Sequence, residues 1–125
     1  MNEIITQTER IVLDDSGIVK CKAFKGSLLT LENAKENIEA VKTLANGKAV
    51  PVLVDITETK GGDKEARDYL ASKEVALVQS ACALLVKSPL SQLIGNFFLG
   101  LNKTHFPTRL FNDEQKAIDW LKNFL

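Results

Sequence analysis

The spacing of apolar residues changes along the chain, and each change predicts a different element. Segments 10–13 and 18–24 carry short apolar or alternating runs that are typical of β-strands. Asp15-Ser16-Gly17 lies between them and supplies the residue types that a short hairpin turn with a left-handed glycine requires. The pattern therefore predicts an antiparallel hairpin at or near an edge of a sheet.

The next segment has the three- and four-residue spacing of an amphipathic helix. Thr30 can accept hydrogen bonds from the free N–H groups of a first helical turn, and Asn46-Gly47 can adopt the left-handed conformation that ends a helix. A helix is predicted between these two signals. Its apolar stripe consists of Leu31, Ala34, Ile38, Val41 and Ala45.

Two uninterrupted apolar runs, 49–56 and 81–86, have the pattern of parallel strands that are covered on both faces. A helix is predicted to begin near Asp63, between the two runs. The element boundaries between Ser72 and Ser80 stay open. The sequence therefore predicts two adjacent central strands joined by a helical crossover.

The last third of the chain predicts a helix, a short strand and another helix. Ser88-Pro89 suits a helix start, because serine can cap and proline is tolerated in the first turn. Segment 106–111 predicts a strand, and Asn112 is the predicted cap of a final helix over 113–125. The helix after Ser88 carries the apolar stripe Leu90, Leu93, Ile94, Phe97, Phe98 and Leu101.

This order of elements, ββαβαβαβα, predicts an α/β fold. Alternating strands and helices imply right-handed crossovers and a mixed, mostly parallel sheet with helices packed on it. No linker rich in proline, glycine or serine interrupts the chain. We therefore expect a single domain over residues 1–125.

The composition excludes several classes of partner. The chain has 16 basic and 16 acidic residues, so its formal net charge is zero and there is no basic field to attract nucleic acid. There is no apolar N-terminal segment with a basic flank, and no apolar run reaches the roughly 18 residues that span a bilayer. We expect a cytoplasmic protein that binds no nucleic acid and does not insert into a membrane.

Residues that commonly carry catalysis or bind metals are sparse. His105 has no nucleophile motif beside it, and Asp14-Asp15 occupies a predicted turn where carboxylates serve backbone geometry. Cys21 and Cys82 lie far apart in apolar or alternating runs, which is typical of reduced core thiols. We expect no catalytic residue, no metal site and no cofactor, and hence no enzyme.

The polar segment "TETKGGDK" after the first apolar run is a candidate phosphate-binding loop. It lacks both the dinucleotide fingerprint and the P-loop spacing, and Asp63 would repel the anion. The favoured alternative is a turn whose glycines permit positive φ and whose Asp63 caps the next helix.

Lys87 and Ser88 form a second candidate site. They follow the second apolar run, at the carboxyl end of a predicted strand, where open α/β sheets generally bind ligands. The site could hold an anion. The alternative is a capping serine beside a solvated lysine.

The segments "LTLENAKENIEAVKTLANGKAVPVLVDI" and "FPTRLFNDEQKAIDWL" resemble small bacterial STAS-like proteins of unassigned function. The STAS family comprises SpoIIAA-like anti-sigma factor antagonist domains, which also occur at the ends of sulfate transporters. The likeness extends from Ile11 to Leu125 and rests mostly on packing residues. It implies a SpoIIAA-like fold.

The resemblance also implies a role in bacterial signalling or regulation through contact with another protein. In phospho-switching members, a serine or threonine follows an aspartate at the start of the helix after this strand. Here Asp63 matches that aspartate but Lys64 occupies the acceptor position, and neither Thr57 nor Thr59 replaces it, so we expect no phosphorylation of this loop. The implied partner-binding residues are Asp55, Thr57, Thr59, Lys60, Gly61, Gly62, Asp63, Lys64, Arg67 and Asp68.

The apolar helix after Ser88 leaves two alternatives open. Gly95 and Gly100 in its interior indicate close approach by another group, and the apolar stripe is expected to pack on the sheet. Leu99 lies off that stripe, so the sequence also allows a homodimer that forms through an exposed apolar spot. The second alternative is a domain that binds a small ligand or lipid under this helix, because STAS domains are similar in topology to the CRAL-TRIO lipid-binding fold.

Overall fold

In the computed structural model, which describes residues 2–125, the chain forms eight strands and five α-helices. The strands are β1 (Glu3–Ile5), β2 (Glu9–Leu13), β3 (Val19–Ala23), β4 (Leu28–Leu29), β5 (Val50–Asp55), β6 (Gly61–Gly62), β7 (Gln79–Leu85) and β8 (Thr108–Phe111). The helices are α1 (Leu31–Leu44), α2 (Lys64–Leu70), α3 (Lys73–Ala76), α4 (Pro89–Leu101) and α5 (Glu114–Leu121), followed by a 3₁₀ turn over Lys122–Phe124.

Six strands form one mixed sheet in the order β1-β2-β3-β5-β7-β8. β1, β2 and β3 pair antiparallel, whereas β3, β5, β7 and β8 run parallel to one another. The two apolar runs are adjacent central strands, with Val52 opposite Cys82. The predicted fold class, a mostly parallel sheet covered by helices, is confirmed.

The two faces of the sheet are covered by different helices. α1 and α3 cover one face, and α5 covers the other. The first core cluster includes Ile11, Val19, Ile38, Val41, Val52 and Val75, and the second includes Ile18, Leu53, Ala83, Leu85, Ala117 and Leu121. Because both faces of β5 and β7 are buried, their sequences are continuously apolar.

The strongest local signals are confirmed. Thr30 caps α1 and forms a capping box with Asn33, and the helix is followed by Asn46 and Gly47 with φ of 53° and 78°. In the β2–β3 hairpin, Gly17 has φ of 97°, and Asp14 Oδ1 accepts hydrogen bonds from the N–H groups of Ser16 and Ile18.

Four short elements and one cap differ from the sequence-based prediction. β1, α3 and the two-residue strands β4 and β6 were not predicted, because each is too short to show a period and β4 and β6 are defined only by pairing with each other. Asp113, not Asn112, caps α5, since its side chain accepts a hydrogen bond from Lys116 N at 3.1 Å.

Within residues 2–125, none of the helices is long and apolar enough to cross a membrane.

Candidate functional site

A cavity of about 700 Å³ lies between α4 and the sheet face that carries Cys21 and Cys82. This volume is in the range of small-molecule sites, roughly 300–1,000 Å³. The sheet side of the lining comprises Cys21, Ala23, Val54, Cys82, Leu84 and Thr108. The helical side comprises Ile38 and Val41 of α1, Leu70 of α2, and Ile94, Phe97 and Phe98 of α4.

The shape of the cavity follows from small side chains on the central strands. At inward positions, where neighbouring strands carry valine or leucine, the sequence places Cys21, Ala23 and Cys82. Gln79 and Leu84 of the same strand both line the cavity, and five residues of strand span roughly 17 Å. The cavity is therefore elongated along β7 as well as largely apolar.

Gly95 allows α4 to approach the sheet beside this cavity. A Cβ atom at Gly95 would lie 2.8 Å from Leu110 Cδ2 and 3.3 Å from Val86 Cγ1. The close approach predicted at Gly95 is confirmed. At Gly100 a Cβ atom would have no neighbour within 4 Å among the described residues, so the prediction there is wrong.

Alanine substitution should have opposite effects on stability at these two glycines. Gly95→Ala is expected to lower the free energy of unfolding by about 1 kcal/mol, because the cost of overpacking exceeds the gain in helix propensity. Gly100→Ala is expected to raise it by up to about 1 kcal/mol, because alanine favours the helix and meets no neighbour. Urea unfolding of both variants measures the difference, and equal effects would contradict the close packing at Gly95.

The carboxyl end of α4 is attached to α2 by polar contacts. Asn102 Nδ2 donates a hydrogen bond to Asp68 Oδ1 at 2.8 Å, and Arg67 Nη1 donates to Asn102 Oδ1 at 3.5 Å. The Arg67 guanidinium lies over the Phe97 ring, 4.9 Å from its centroid. Hydrogen bonds from Lys64 and Asn102, with Lys64 contributing most, lower the pKa of Asp68.

The apolar stripe of α4 does not pack on the sheet as a whole. Leu90, Leu93, Phe97 and Leu101 are between 55% and 67% exposed, whereas Ile94 and Phe98 are half-buried. The expectation that the sheet covers this stripe is therefore wrong, because the cavity separates much of α4 from the strands. Leu99, the predicted exposed spot, is itself half-buried.

Glu9 is a buried carboxyl in this lining. The residue is only 7% exposed, and burial raises its pKa to about 7, although the neighbouring Cys21 thiol acts to lower that pKa. Burial also raises the pKa of both thiols, that of Cys82 to about 12. Cys21 and Cys82 are free and buried, as predicted, and they are neutral at physiological pH.

The backbone of Glu9 is attached to α1 through a polar network. Thr6 Oγ1 accepts a hydrogen bond from Glu9 N at 3.1 Å and donates to Asn37 Oδ1. Asn37 Nδ2 in turn donates to Thr8 Oγ1 at 2.9 Å. The Asn37 amide thus connects α1 to the residues at the start of β2. The Glu9 side chain is left to line the cavity.

The ten residues predicted to bind a partner divide into two groups. Thr59, Lys60, Gly61, Gly62 and Arg67 line the cavity. Asp55, Thr57, Asp63, Lys64 and Asp68 are not part of its lining. Five of the predicted residues therefore belong to the cavity lining, and their role in binding a partner stays a prediction.

Both loop threonines have structural hydrogen bonds. Thr59 is buried, and its Oγ1 donates to Ser27 O at 2.9 Å and accepts from Gly61 N at 3.2 Å. Thr57 Oγ1 accepts a hydrogen bond from Lys87 N at 3.3 Å. Asp63 caps α2, as the sequence predicts, by accepting a hydrogen bond from Ala66 N at 2.9 Å.

The remaining candidates have ordinary structural contacts. Ser88 caps α4 by accepting a hydrogen bond from Ser91 N at 3.1 Å, and Lys87 is exposed beside it. An anion bound there stays a prediction. His105 is exposed, with Nδ1 2.9 Å from Ala71 O. Across residues 2–125, no three histidine, cysteine or acidic side chains are grouped so that they could hold a metal ion.

Sequence reasoning missed Glu9 as a site residue. It stands between Thr8 and Arg10 and has the appearance of a solvated charge at a strand end. The signal available in the sequence was the alternation of side chains along a strand. Glu9 is two residues before Ile11 and so points to the same face of β2. A charge at an inward position is a candidate functional group.

Comparisons with known proteins give a family and a fold. Residues 11–125 match the family model described as "Domain of unknown function (DUF7793)". No curated protein matches the chain significantly.

Two solved structures align with nearly the whole chain. One is an uncharacterized protein of the DUF3478 family from Shewanella loihica PV-4, described as having a SpoIIAA-like fold. It aligns at a TM-score of 0.59 and 22% identity, over 94% of this chain and 98% of that chain. The other, a protein of unknown function from Arthrobacter sp. FB24, aligns at a TM-score of 0.36 and 28% identity, over 95% of this chain and 96% of that chain. The first alignment supports the SpoIIAA-like fold expected from the sequence.

Proposed function

Because the chain belongs to DUF7793, a family described as a domain of unknown function, we propose its function from its own geometry: it binds a small, elongated apolar molecule between α4 and the sheet. The observation that carries this proposal is the apolar cavity of about 700 Å³. Binding of a small ligand or lipid was the second of the functions that the sequence left open.

Packing supports the proposal. Native cores are close-packed, with few voids larger than a water molecule, so a large apolar cavity that remains empty is costly. An apolar ligand would restore the missing contacts along Cys82, Leu84 and Phe98.

We propose binding without catalysis. The two thiols beside the cavity have raised pKa values, and protonated thiols are weak nucleophiles. His105 does not line the cavity. A cytoplasmic location stays a prediction from the sequence.

Titration with the neutral fluorescent probe N-phenylnaphthylamine tests the proposal. We expect the wild-type protein to bind the probe, and native mass spectrometry of freshly purified protein to show additional mass of ligand size. Leu90→Ala is the matched control, since Leu90 is exposed on α4 but does not line the cavity. It should leave the affinity for the probe unchanged within about twofold.

Two results would contradict cavity binding. One is the absence of both additional mass and probe binding in the wild-type protein. The other is loss of probe binding in Leu90→Ala, which would place the apolar molecule on the exposed face of α4.

A second candidate function is contact with another protein through the surface predicted from the sequence. The observation that favours it is the exposed group Lys60, Asp63, Lys64 and Asp68 at the start of α2, which presents both charges. It would make the chain a bacterial signalling or regulatory adaptor, as the STAS resemblance implies.

Charge reversal at Lys64 tests this second candidate. Lys64 forms an exposed ion pair with Asp68 at 2.7 Å, and such solvent-screened pairs contribute little to stability. Lys64→Glu should therefore weaken a complex captured from the native host while the melting temperature changes little. Lys73→Glu on α3 is the control, and equal loss of the complex in both variants would exclude a specific contact at Lys64.

A further inference from the structure

The lining of the cavity contains one carboxyl group, that of Glu9, and this group can favour ligands by the chemistry of their polar end. Glu9 is 93% buried, and it lies on the same sheet face as Cys21, since Glu9 is opposite Ala23 and Ile11 is opposite Cys21. The Glu9 backbone N–H donates to Thr6 Oγ1, and no N–H or O–H group of the described residues forms a hydrogen bond to its carboxyl oxygens. A carboxyl in such a site is costly unless a donor satisfies it.

We propose that the Glu9 carboxyl receives the polar end of the ligand, and that the ligand is therefore an apolar chain ending in a hydrogen-bond donor, either a hydroxyl or a primary ammonium. This inference rests on the proposed function and specifies its ligand class. A terminal carboxylate would place like charge beside Glu9 and is the disfavoured class.

Most of the other polar groups of the lining already have protein partners or reach solvent. The Arg67 guanidinium donates to Gly62 O and Asn102 Oδ1 and lies over the Phe97 ring, and Lys60 is exposed. Asn37 contacts Thr6 and Thr8, and Thr108 Oγ1 donates to Thr104 Oγ1 at 3.0 Å. Gln79 lies toward the other end of β7, and its neutral amide both donates and accepts, so it does not select for charge.

The position of Glu9 sets the orientation of the ligand. Glu9 is opposite Ala23, at the carboxyl end of β3, whereas Gln79 begins β7 at the other end of the parallel strands. A chain with its donor at Glu9 would extend along Cys21 and Cys82 toward Gln79. The other titratable groups of the lining are these two thiols, which stay neutral when Glu9 titrates, and the cationic side chains Lys60 and Arg67.

Competition of three ligands against N-phenylnaphthylamine tests the assignment. Dodecylamine, dodecanol and dodecanoate share one chain and differ at the polar end. We expect the amine and the alcohol to bind on the order of ten- to a hundredfold more tightly than dodecanoate, as for a hydrogen bond to a charged group. Between about pH 8 and pH 6, protonation of Glu9 should weaken the amine about tenfold and leave the alcohol nearly unchanged.

Two variants at the same position separate the two ligand types. Glu9→Gln keeps a hydrogen-bond acceptor and loses the charge, so it should weaken dodecylamine at least tenfold and dodecanol by less than about threefold. Glu9→Leu removes the acceptor and should weaken both ligands. Neither variant leaves a buried charge, so both should fold, and thermal unfolding verifies this.

The outcomes distinguish this inference from the proposed function. If dodecanoate binds as tightly as dodecylamine and Glu9→Leu changes neither affinity, Glu9 does not receive the polar end, although the cavity still binds apolar chains. If none of the three ligands displaces the probe from the wild-type protein, both the inference and the proposed function are wrong.

Discussion

Replacing Glu9 with glutamine is expected to remove a fall in stability that the wild-type protein shows between about pH 4.5 and pH 7.5. Burial raises the pKa of Glu9 to about 7, so over this interval the folded state holds a proton that the unfolded state has released. Raising the pH therefore favours the unfolded chain. The stabilisation of the protonated form is present below the unfolded pKa and is lost as the pH rises through the folded pKa.

The size of the effect follows from the two pKa values. A rise from the ordinary value of 4.5 to about 7 corresponds to about 3 kcal/mol, a large fraction of the stability of a small domain. Asp14 and Asp68 have lowered pKa values, so their stabilisation is lost only as the pH falls below the ordinary range of a carboxyl. Among the described carboxyl groups with a shifted pKa, Glu9 is therefore the one that titrates within the chosen interval.

Urea unfolding at both ends of the interval measures this effect. The free-energy difference between wild type and Glu9→Gln should change by about 3 kcal/mol, with wild type losing stability at the higher pH. Glu65→Gln, at an exposed position in the first turn of α2, is the control and should show no such change. A wild-type stability that is flat or rises with pH would mean that the Glu9 carboxyl is solvated.

Filling the cavity is expected to abolish ligand binding without unfolding the protein. Ala23 is 5% exposed and lines the cavity opposite Glu9, so a phenylalanine there would occupy the space beside the carboxyl. Ala23→Phe should weaken binding of N-phenylnaphthylamine by on the order of a hundredfold. Its free energy of unfolding should stay equal or rise by about 1 kcal/mol, because empty volume is replaced by contacts.

Ala83→Phe is the matched control for this substitution. Ala83 is 0% exposed, packs in the core cluster that includes Ala117 and Leu121 of α5, and does not line the cavity. It should lower the free energy of unfolding by about 1–3 kcal/mol or more through overpacking. Equal destabilisation by the two substitutions would mean that the space beside Ala23 is already filled.

The sequence predicted the fold well because the central elements carry strong local signals. Strong signals come from the apolar runs of β5 and β7, the Thr30 cap and the Ser88-Pro89 helix start. Each specifies one structure, and the structure confirms them. β1, β4 and β6 were missed, since three- and two-residue strands are defined by distant partners and not by their own sequence.

The cavity was less accessible to sequence reasoning. A periodic apolar stripe predicts that α4 is amphipathic, but it does not predict how far the helix lies from the sheet. That distance depends on Gly95 approaching Leu110 at one point and on the small residues Cys21 and Cys82 elsewhere. Similarly, Glu9 stands one residue before the predicted strand 10–13, so its position on the same face as Ile11 became evident only from the pairing with Ala23, which extends β2 to Glu9.

A crystal structure of the wild-type protein grown with dodecylamine is the most direct measurement of whether α4 and the sheet enclose a ligand. The predicted result is continuous density for the alkyl chain along Cys21 and Cys82, beneath Phe98, with α4 covering it. Density for the chain on Leu90 and Leu101 at the outer face of α4, above a collapsed and empty interior, would contradict the account.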